Sequence, residues 1–272
     1  MRVVKKIITL MTDFGYRDHY VAAMKAVILS IAPEAVVVDI SHGIPKQDVR
    51  VAAYVLKCAY KYFPAGTIHV AVVDPGVGTA RRAVAVKTKH YYFVGPDNGV
   101  LALAALEDGV EEVRLIQNPR LMREQLSFTF HGRDIFAPVA AHLARGCAFE
   151  EVGPPAGGLV VPRFARPLVE PARLECEVLY IDDFGNVVLN ATHDDVAAAG
   201  LGYGSRCRVV AKGGVTLEAP LVPAYGYVGE GEPLLLINSE NQLELAVNKG
   251  SAAGALGLSI GDKVLISLLE ER

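Results

Sequence analysis

The first half of the chain alternates between short aliphatic, β-branched runs and longer stretches with apolar positions at helical spacing. Residues 3–11 read as a strand that ends at Thr12-Asp13-Phe14-Gly15. Asp18 is a good N-cap for a helix through residues 19–31, with Tyr20, Met24, Val27 and Ile31 at helical spacing and Pro33 as its stop. Residues 35–40 form a second strand and residues 47–63 a second helix, closed by Pro64-Ala65-Gly66. Residues 68–73 are almost continuously apolar, which suits a central parallel strand covered on both faces. Residues 83–88 and 91–94 pair as strands joined at Lys89-His90. A turn at 95–99 leads into a helix through Glu107, residues 113–117 are a further strand, and residues 135–145 a further helix. Strands alternating with helices in this way predict an α/β fold with a doubly wound, mostly parallel sheet over residues 1–151.

The pattern changes near Glu151. Residues 152–172 hold five prolines and three glycines with little periodicity, and read as a linker. Beyond it, residues 174–180, 187–190, 206–212, 215–217, 234–237, 243–247 and 263–268 are short strands between turns. That spacing predicts a second, smaller all-β domain, barrel-like, over residues 173–272.

Composition narrows the function classes. Of 272 residues, 51% are hydrophobic, enough to fill two cores, and the net charge of −3 lacks the basic face of a nucleic-acid binder. Cys58, Cys147, Cys176 and Cys207 are scattered, so neither a zinc site nor a disulfide framework is signalled, and a reducing, cytoplasmic setting is expected. No run approaches the roughly 18 apolar residues of a membrane span, and the amino terminus lacks a signal peptide's apolar core.

Candidate chemistry gathers where strands end. Asp13 follows the first strand, Asp74 the central one, and Asp182 stands in a turn of the second domain. Gly76 and Gly78 let the backbone turn sharply after Asp74, and Arg81 is placed to fold back and pair with it. His131 precedes a helix. Singly, each acid is an ordinary turn former and the histidine an ordinary local hydrogen-bonding group. Converging on the carboxyl edge of one sheet, they predict a small-molecule site. The glycine pattern lacks the third glycine of the dinucleotide fingerprint, which puts a nicotinamide enzyme last among the readings.

Five segments carry a resemblance: TDFG at 12–15, VDPGVGT at 73–79, FHGRD at 130–134, DDFGN at 182–186 and INSENQLELAVN at 237–248. In this order, across both inferred domains, they resemble the S-adenosyl-L-methionine (SAM) hydrolases, or SAM hydroxide adenosyltransferases, relatives of the fluorinase and chlorinase. The resemblance implies conversion of SAM and water into adenosine and methionine, with SAM as substrate and neither cofactor nor metal. It also implies a homotrimer whose sites lie between the amino-terminal domain of one subunit and the carboxyl-terminal domain of its neighbour.

By the same resemblance, Asp13 is similar to the acid that holds the ribose hydroxyls, and Asp74, Arg81 and His131 to the set that positions and activates water. Either Asp74 or His131 accepts the proton. Asp182 is similar to the acid near the methionine ammonium, with Asp183 a rival. Phe184 and Tyr225 resemble the rings that sandwich adenine, with Tyr227 a rival to Tyr225, and Asn186 the amide reading the base's edge. Ser239, with the backbone at Glu240, is similar to the methionine carboxylate clamp. Halogenating relatives carry a tyrosine and a serine where this chain has Asp74 and Gly132, and a carboxylate there repels a halide. Two alternatives remain: a non-catalytic SAM or adenosine sensor, and a SAM-dependent halogenase.

Overall fold

The structure, a computed structural model, describes residues 6–269, divided into one unit up to Pro162 and a second from Arg163. The strand expected at residues 3–11 therefore starts outside the described residues. It is seen as β1 (Ile7–Thr12). There follow α1 (Tyr20–Ile31), β2 (Val36–Ser41), α2 (Val49–Ala59), β3 (Ile68–Val72), β4 (Ala83–Thr88), β5 (Tyr92–Pro96), α3 (Ala102–Asp108) and β6 (Val110–Leu115). A π-helical turn, Gly132–Phe136, then runs directly into α4 (Ala137–Ala144).

The strand order is β2-β1-β3-β5-β4-β6. The pairings β2–β1, β1–β3 and β3–β5 are parallel, while β4 runs antiparallel to both its neighbours. The reversal has a local cause. The tight connection at Lys89-His90 leaves no room for the crossover that a parallel pair needs, so β4 and β5 form a hairpin. The remaining strands share one direction. Strand alternation sends Ile8, Leu10 and Val70 into the cluster formed with Met24 and Ile28 of α1 and with Phe136, Val139 and Ala140. Thr9 and His69 point to the other face, where Tyr60 follows α2. The sheet is thus covered on both sides, as a doubly wound fold requires.

Two expectations shift locally. Asp18 does not cap α1; the helix starts after His19 without a side-chain cap hydrogen bond. In α2 the N-cap is Asp48, whose carboxylate accepts from the Val51 amide at 2.9 Å, and Gln47 lies outside the helix with φ 64°. The segment expected as a linker is partly tied down. Leu115 N donates to Pro154 O (2.9 Å), Ala156 N to Val113 O (2.7 Å) and Val160 N to an Asp97 carboxylate oxygen (2.8 Å).

The second unit comprises β7 (Leu168–Glu170), β8 (Arg173–Ile181), β9 (Val187–Thr192), α5 (His193–Ala198), β10 (Arg206–Val210), β11 (Thr216–Pro220), β12 (Pro233–Ile237), β13 (Gln242–Val247), α6 (Ala252–Leu256) and β14 (Lys263–Leu268). The order is β11-β10-β14-β8-β9-β13-β12, with β7 on β8, all antiparallel. A bridge from Leu221 to Leu235 brings the two ends together, so the sheet is nearly a closed barrel around Leu174, Val178, Leu189, Val209, Leu245 and Ile266. Among the described residues no helix is long and apolar enough to cross a membrane.

Candidate active site

In the first unit, β1 and β3 are neighbours, and the chain leaves β1 towards β2 but leaves β3 towards β5 and β4, on opposite sides of the pair. Ligands favour the crevice that opens at such a point, beyond the carboxyl ends of the strands. The parallel register pairs Thr12 with Val72, so Asp13 and Asp74, one and two residues further on, leave the sheet at the same edge. Asp13 is nearly buried, at 8% exposure. Its carboxylate accepts from the Gln47 amide (2.8 Å), and its carbonyl oxygen accepts from the Lys46 ammonium. The loop behind it is held by Thr12, whose hydroxyl meets His42 Nδ1 at 2.7 Å and accepts from the Phe14 amide at 3.1 Å.

Asp74, Arg81 and His131 come together. Arg81 Nε donates to both Asp74 carboxylate oxygens (2.9 and 3.0 Å), Arg81 Nη2 donates to the second of them, and Nη2 also lies 2.7 Å from His131 Nδ1. A guanidinium has only donors, so His131 Nδ1 must be the acceptor, and the proton of the neutral ring sits on Nε2. Burial, and then the Arg81 charge, hold the His131 pKa below its usual value, with Asp74 and Asp134 opposing. The arginine is fixed from behind by the Phe136 ring, 5.3 Å from its guanidinium carbon. Gly78 is required here: its φ is +76°, and a Cβ would fall 2.3 Å from the Phe128 carbonyl oxygen.

Asp13, Asp74 and His131 line one cavity of about 250 Å³, together with Tyr20, Lys46 and Thr129. These last three were missed in the sequence, where a lysine beside a glutamine carries no signal of its own. Phe14, Tyr20 and Phe130 form an aromatic wall of this cavity, packed edge to face or tilted, with centroids 5.1–5.9 Å apart. Gly132 also lines this cavity, and a Cβ there would meet Met24 Sδ at 3.1 Å.

In the second unit, a cavity of about 550 Å³ is lined by Asp182, Phe184, Asn186, Tyr225, Asn248 and Lys249, among others. Asp182 builds the turn that presents the ring and the amide. Its carboxylate accepts from the Phe184 amide (3.0 Å), the Asn186 amide (2.9 Å) and Asn186 Nδ2 (2.9 Å). Gly185 closes the turn at φ +82°, where a Cβ would collide with Ser251. Phe184 is 79% exposed, an unusual position for so large an apolar ring. Asp183 and Tyr227 are both exposed and stand outside the cavity lining, whereas Asp182 and Tyr225 belong to it. The Tyr225 hydroxyl donates to Glu244 at 2.6 Å, and burial followed by this bond raises its pKa. Ser239 and Glu240 occupy the turn between β12 and β13, outside the lining. Among the described residues no three His, Cys, Asp or Glu side chains cluster as metal ligands.

Comparison with known proteins decides the family. The family model of the SAM hydroxide adenosyltransferase N-terminal domain matches residues 8–153, and that of the C-terminal domain residues 176–265. The chain belongs to the SAM hydroxide adenosyltransferase family. Within it, the chain is 43% identical over 258 residues to the (R)-S-adenosyl-L-methionine hydrolase of Thermus thermophilus, covering 92% of this chain and 95% of that one. It is 41% identical to the enzyme of the same name from Salinispora tropica, covering 96% and 97%. A fluorinase from an Actinoplanes species is 31% identical, covering 96% and 97%. Among solved structures, an uncharacterized conserved protein of Thermotoga maritima superposes with a TM-score of 0.90 at 43% identity, covering 96% and 99%. The chain's relatives thus include enzymes named as hydrolases and an enzyme named as a fluorinase, so the choice between the two chemistries rests on residues.

Proposed function

We propose that this protein hydrolyses S-adenosyl-L-methionine to adenosine and L-methionine, by attack of water on the ribose C5′. The observation that carries the proposal is the hydrogen-bonded set Asp74–Arg81–His131 beside Asp13. A sulfonium is already a good leaving group, so the barrier lies with the nucleophile, which holds its proton too tightly. Arg81 offers positive charge to developing hydroxide. The Nδ1 lone pair of His131 is engaged by Arg81, so its other nitrogen presents N–H and orients the attacking oxygen as a donor. That leaves Asp74 to accept the proton. Water then displaces methionine in line, and hydroxide and sulfonium neutralise one another in the transition state. Confinement of both in one cavity supplies several kcal/mol, in the general range for orientation effects.

Two residues favour water over halide. Asp74 puts a carboxylate where the nucleophile must sit, and Gly132, held 3.1 Å from Met24 Sδ at its Cβ position, has no side chain to donate to a halide. Three curated relatives at 39–43% identity are named hydrolases of the (R) form, so the (R) sulfonium epimer is the substrate we propose.

Binding roles divide between the two units. Asp13 holds the ribose hydroxyls; Phe184 and Tyr225 stack on adenine; and Asn186, its Nδ2 committed to Asp182, uses its amide oxygen to accept from the exocyclic amine. Asp182 faces the methionine ammonium, and Ser239 with the Glu240 backbone takes the carboxylate. We further propose a homotrimer in which unit one of a subunit and unit two of its neighbour serve one substrate. The chemistry asks for neither metal nor cofactor, and the four cysteines, all free thiols, suit a reducing cytoplasm.

The test is direct. Purified protein supplied with each sulfonium epimer should release adenosine and methionine, faster from the (R) form. Tight binding with no product would favour the sensor reading. Halodeoxyadenosine formed on adding chloride or fluoride would favour the halogenase.

A further inference from the structure

Glu244 is a carboxylate the mechanism leaves unused, and its surroundings are unusual. In the sequence it alternates with Leu243 and Leu245 and reads as the solvent side of a strand. The two leucines do enter the barrel core, but Glu244 is itself only 4% exposed. Val222 and Val228, on either side of Tyr225, pack against Leu236 and Ala246 beside it, and Tyr225 itself bonds to it. Burying an ionised carboxylate is costly unless donors replace its water. Here one oxygen accepts the Tyr225 hydroxyl (2.6 Å) and the other Asn238 Nδ2 (3.2 Å). Both donors are neutral. As a device for stability alone, an apolar side chain of similar size would serve as well or better.

The two donors lead in different directions. Tyr225 lines the cavity of the second unit. Asn238 fixes the turn that carries Ser239: its side-chain oxygen accepts from the Glu240 and Gln242 amides, each at 3.0 Å, and its carbonyl accepts from the Asn241 amide at 3.0 Å. One buried carboxylate therefore ties the ring wall to the turn.

We propose that Glu244 is a positioning residue that sets Tyr225 against adenine and the Asn238–Asn241 turn against the methionine carboxylate, so that both ends of the substrate are read through one side chain. The inference rests on the substrate assignment above and goes beyond it. Glutamate is the side chain that serves here. Glutamine of the same shape can still accept from Asn238 Nδ2, but its NH₂ then faces the tyrosine oxygen, so Tyr225 loses its charged acceptor and must turn its hydroxyl proton elsewhere.

The experiment is Glu244→Gln, measured beside the wild type by thermal melting, by calorimetric titration with adenosine and with SAM, and by steady-state kinetics. A hydrogen bond to a charged acceptor lost at a binding wall predicts a rise of about 10-fold in KM and in the adenosine Kd, with kcat within about twofold. The loss should be larger for SAM than for adenosine, because adenosine lacks the part that the Ser239 turn holds. A lowered kcat with KM and Kd unmoved is what a merely structural role produces, and it would overturn the proposal. Equal losses for the two ligands would overturn the link to the turn. If the wild type binds but does not hydrolyse SAM, the hydrolase reading falls while the affinity ratios still judge Glu244. If the wild type binds neither ligand, the inference falls with the cavity's assignment.

Discussion

Arg81 joins two side chains that line the first cavity, because one planar guanidinium serves the Asp74 carboxylate and the His131 imidazole together. Lysine keeps the charge but not the fork. Arg81→Lys should therefore lower kcat by about 10²-fold or more while leaving the fold intact, as steady-state rates beside circular dichroism will show. His131 sets the acid limit. Its pKa is held below 6.5, chiefly by burial, and protonation would place a second cation against Arg81. A plot of kcat/KM against pH should stay flat down through 6.5 and fall only in more acid solution; a limb at or above that value would count against a neutral His131. At this scale the sequence was readable where spacing implied a contact, as with Asp74 and Arg81. It was silent where a covering loop decided the environment, as with Glu244, and where two candidates differed only in direction, as with Tyr225 and Tyr227.

Elements hold these side chains in place through a few positions that admit no alternative. Gly78→Ala would combine a left-handed φ with a clash against the Phe128 carbonyl. The substitution should cost on the order of 1–3 kcal/mol of stability in denaturant titration and lower kcat/KM as the Asp74 loop shifts. On the opposite face of β3, His69 is fully buried and accompanied by Thr9 and a stacked Phe93, and burial presses its pKa down to about 3. Between that value and the ordinary 6.5 the unfolded chain binds the proton that the folded chain refuses. Stability should fall as pH drops through this window, by up to about 1.4 kcal/mol per pH unit from this one group. His69→Gln should flatten the slope, and an unchanged slope would refute the assignment. The strands were legible because apolar runs and alternation survive burial. The short helices α5 and α6 were not. Their signals are caps: the Thr192–Asp195 capping box and the Ser251 hydroxyl accepting from Gly254 at 3.0 Å.

For the whole molecule, composition and the change of pattern near Glu151 pointed to an α/β part followed by an all-β part, and both sheets are seen. Assembly is not written in periodicity. If a subunit's first unit works with its neighbour's second, two inactive variants should complement. Mixing Asp74→Asn with Asn186→Ala subunits by unfolding and refolding together should restore about a quarter of the sites in random trimers. Sites contained within single subunits would restore none. The central claim is that solvent, activated by Asp74, Arg81 and His131, becomes the 5′ oxygen of the product. Turnover of SAM in oxygen-18 water, followed by mass spectrometry of the adenosine, tests it most directly. The account predicts one heavy oxygen, on the 5′ carbon, in every adenosine formed; adenosine without the label, or no adenosine at all, would contradict it.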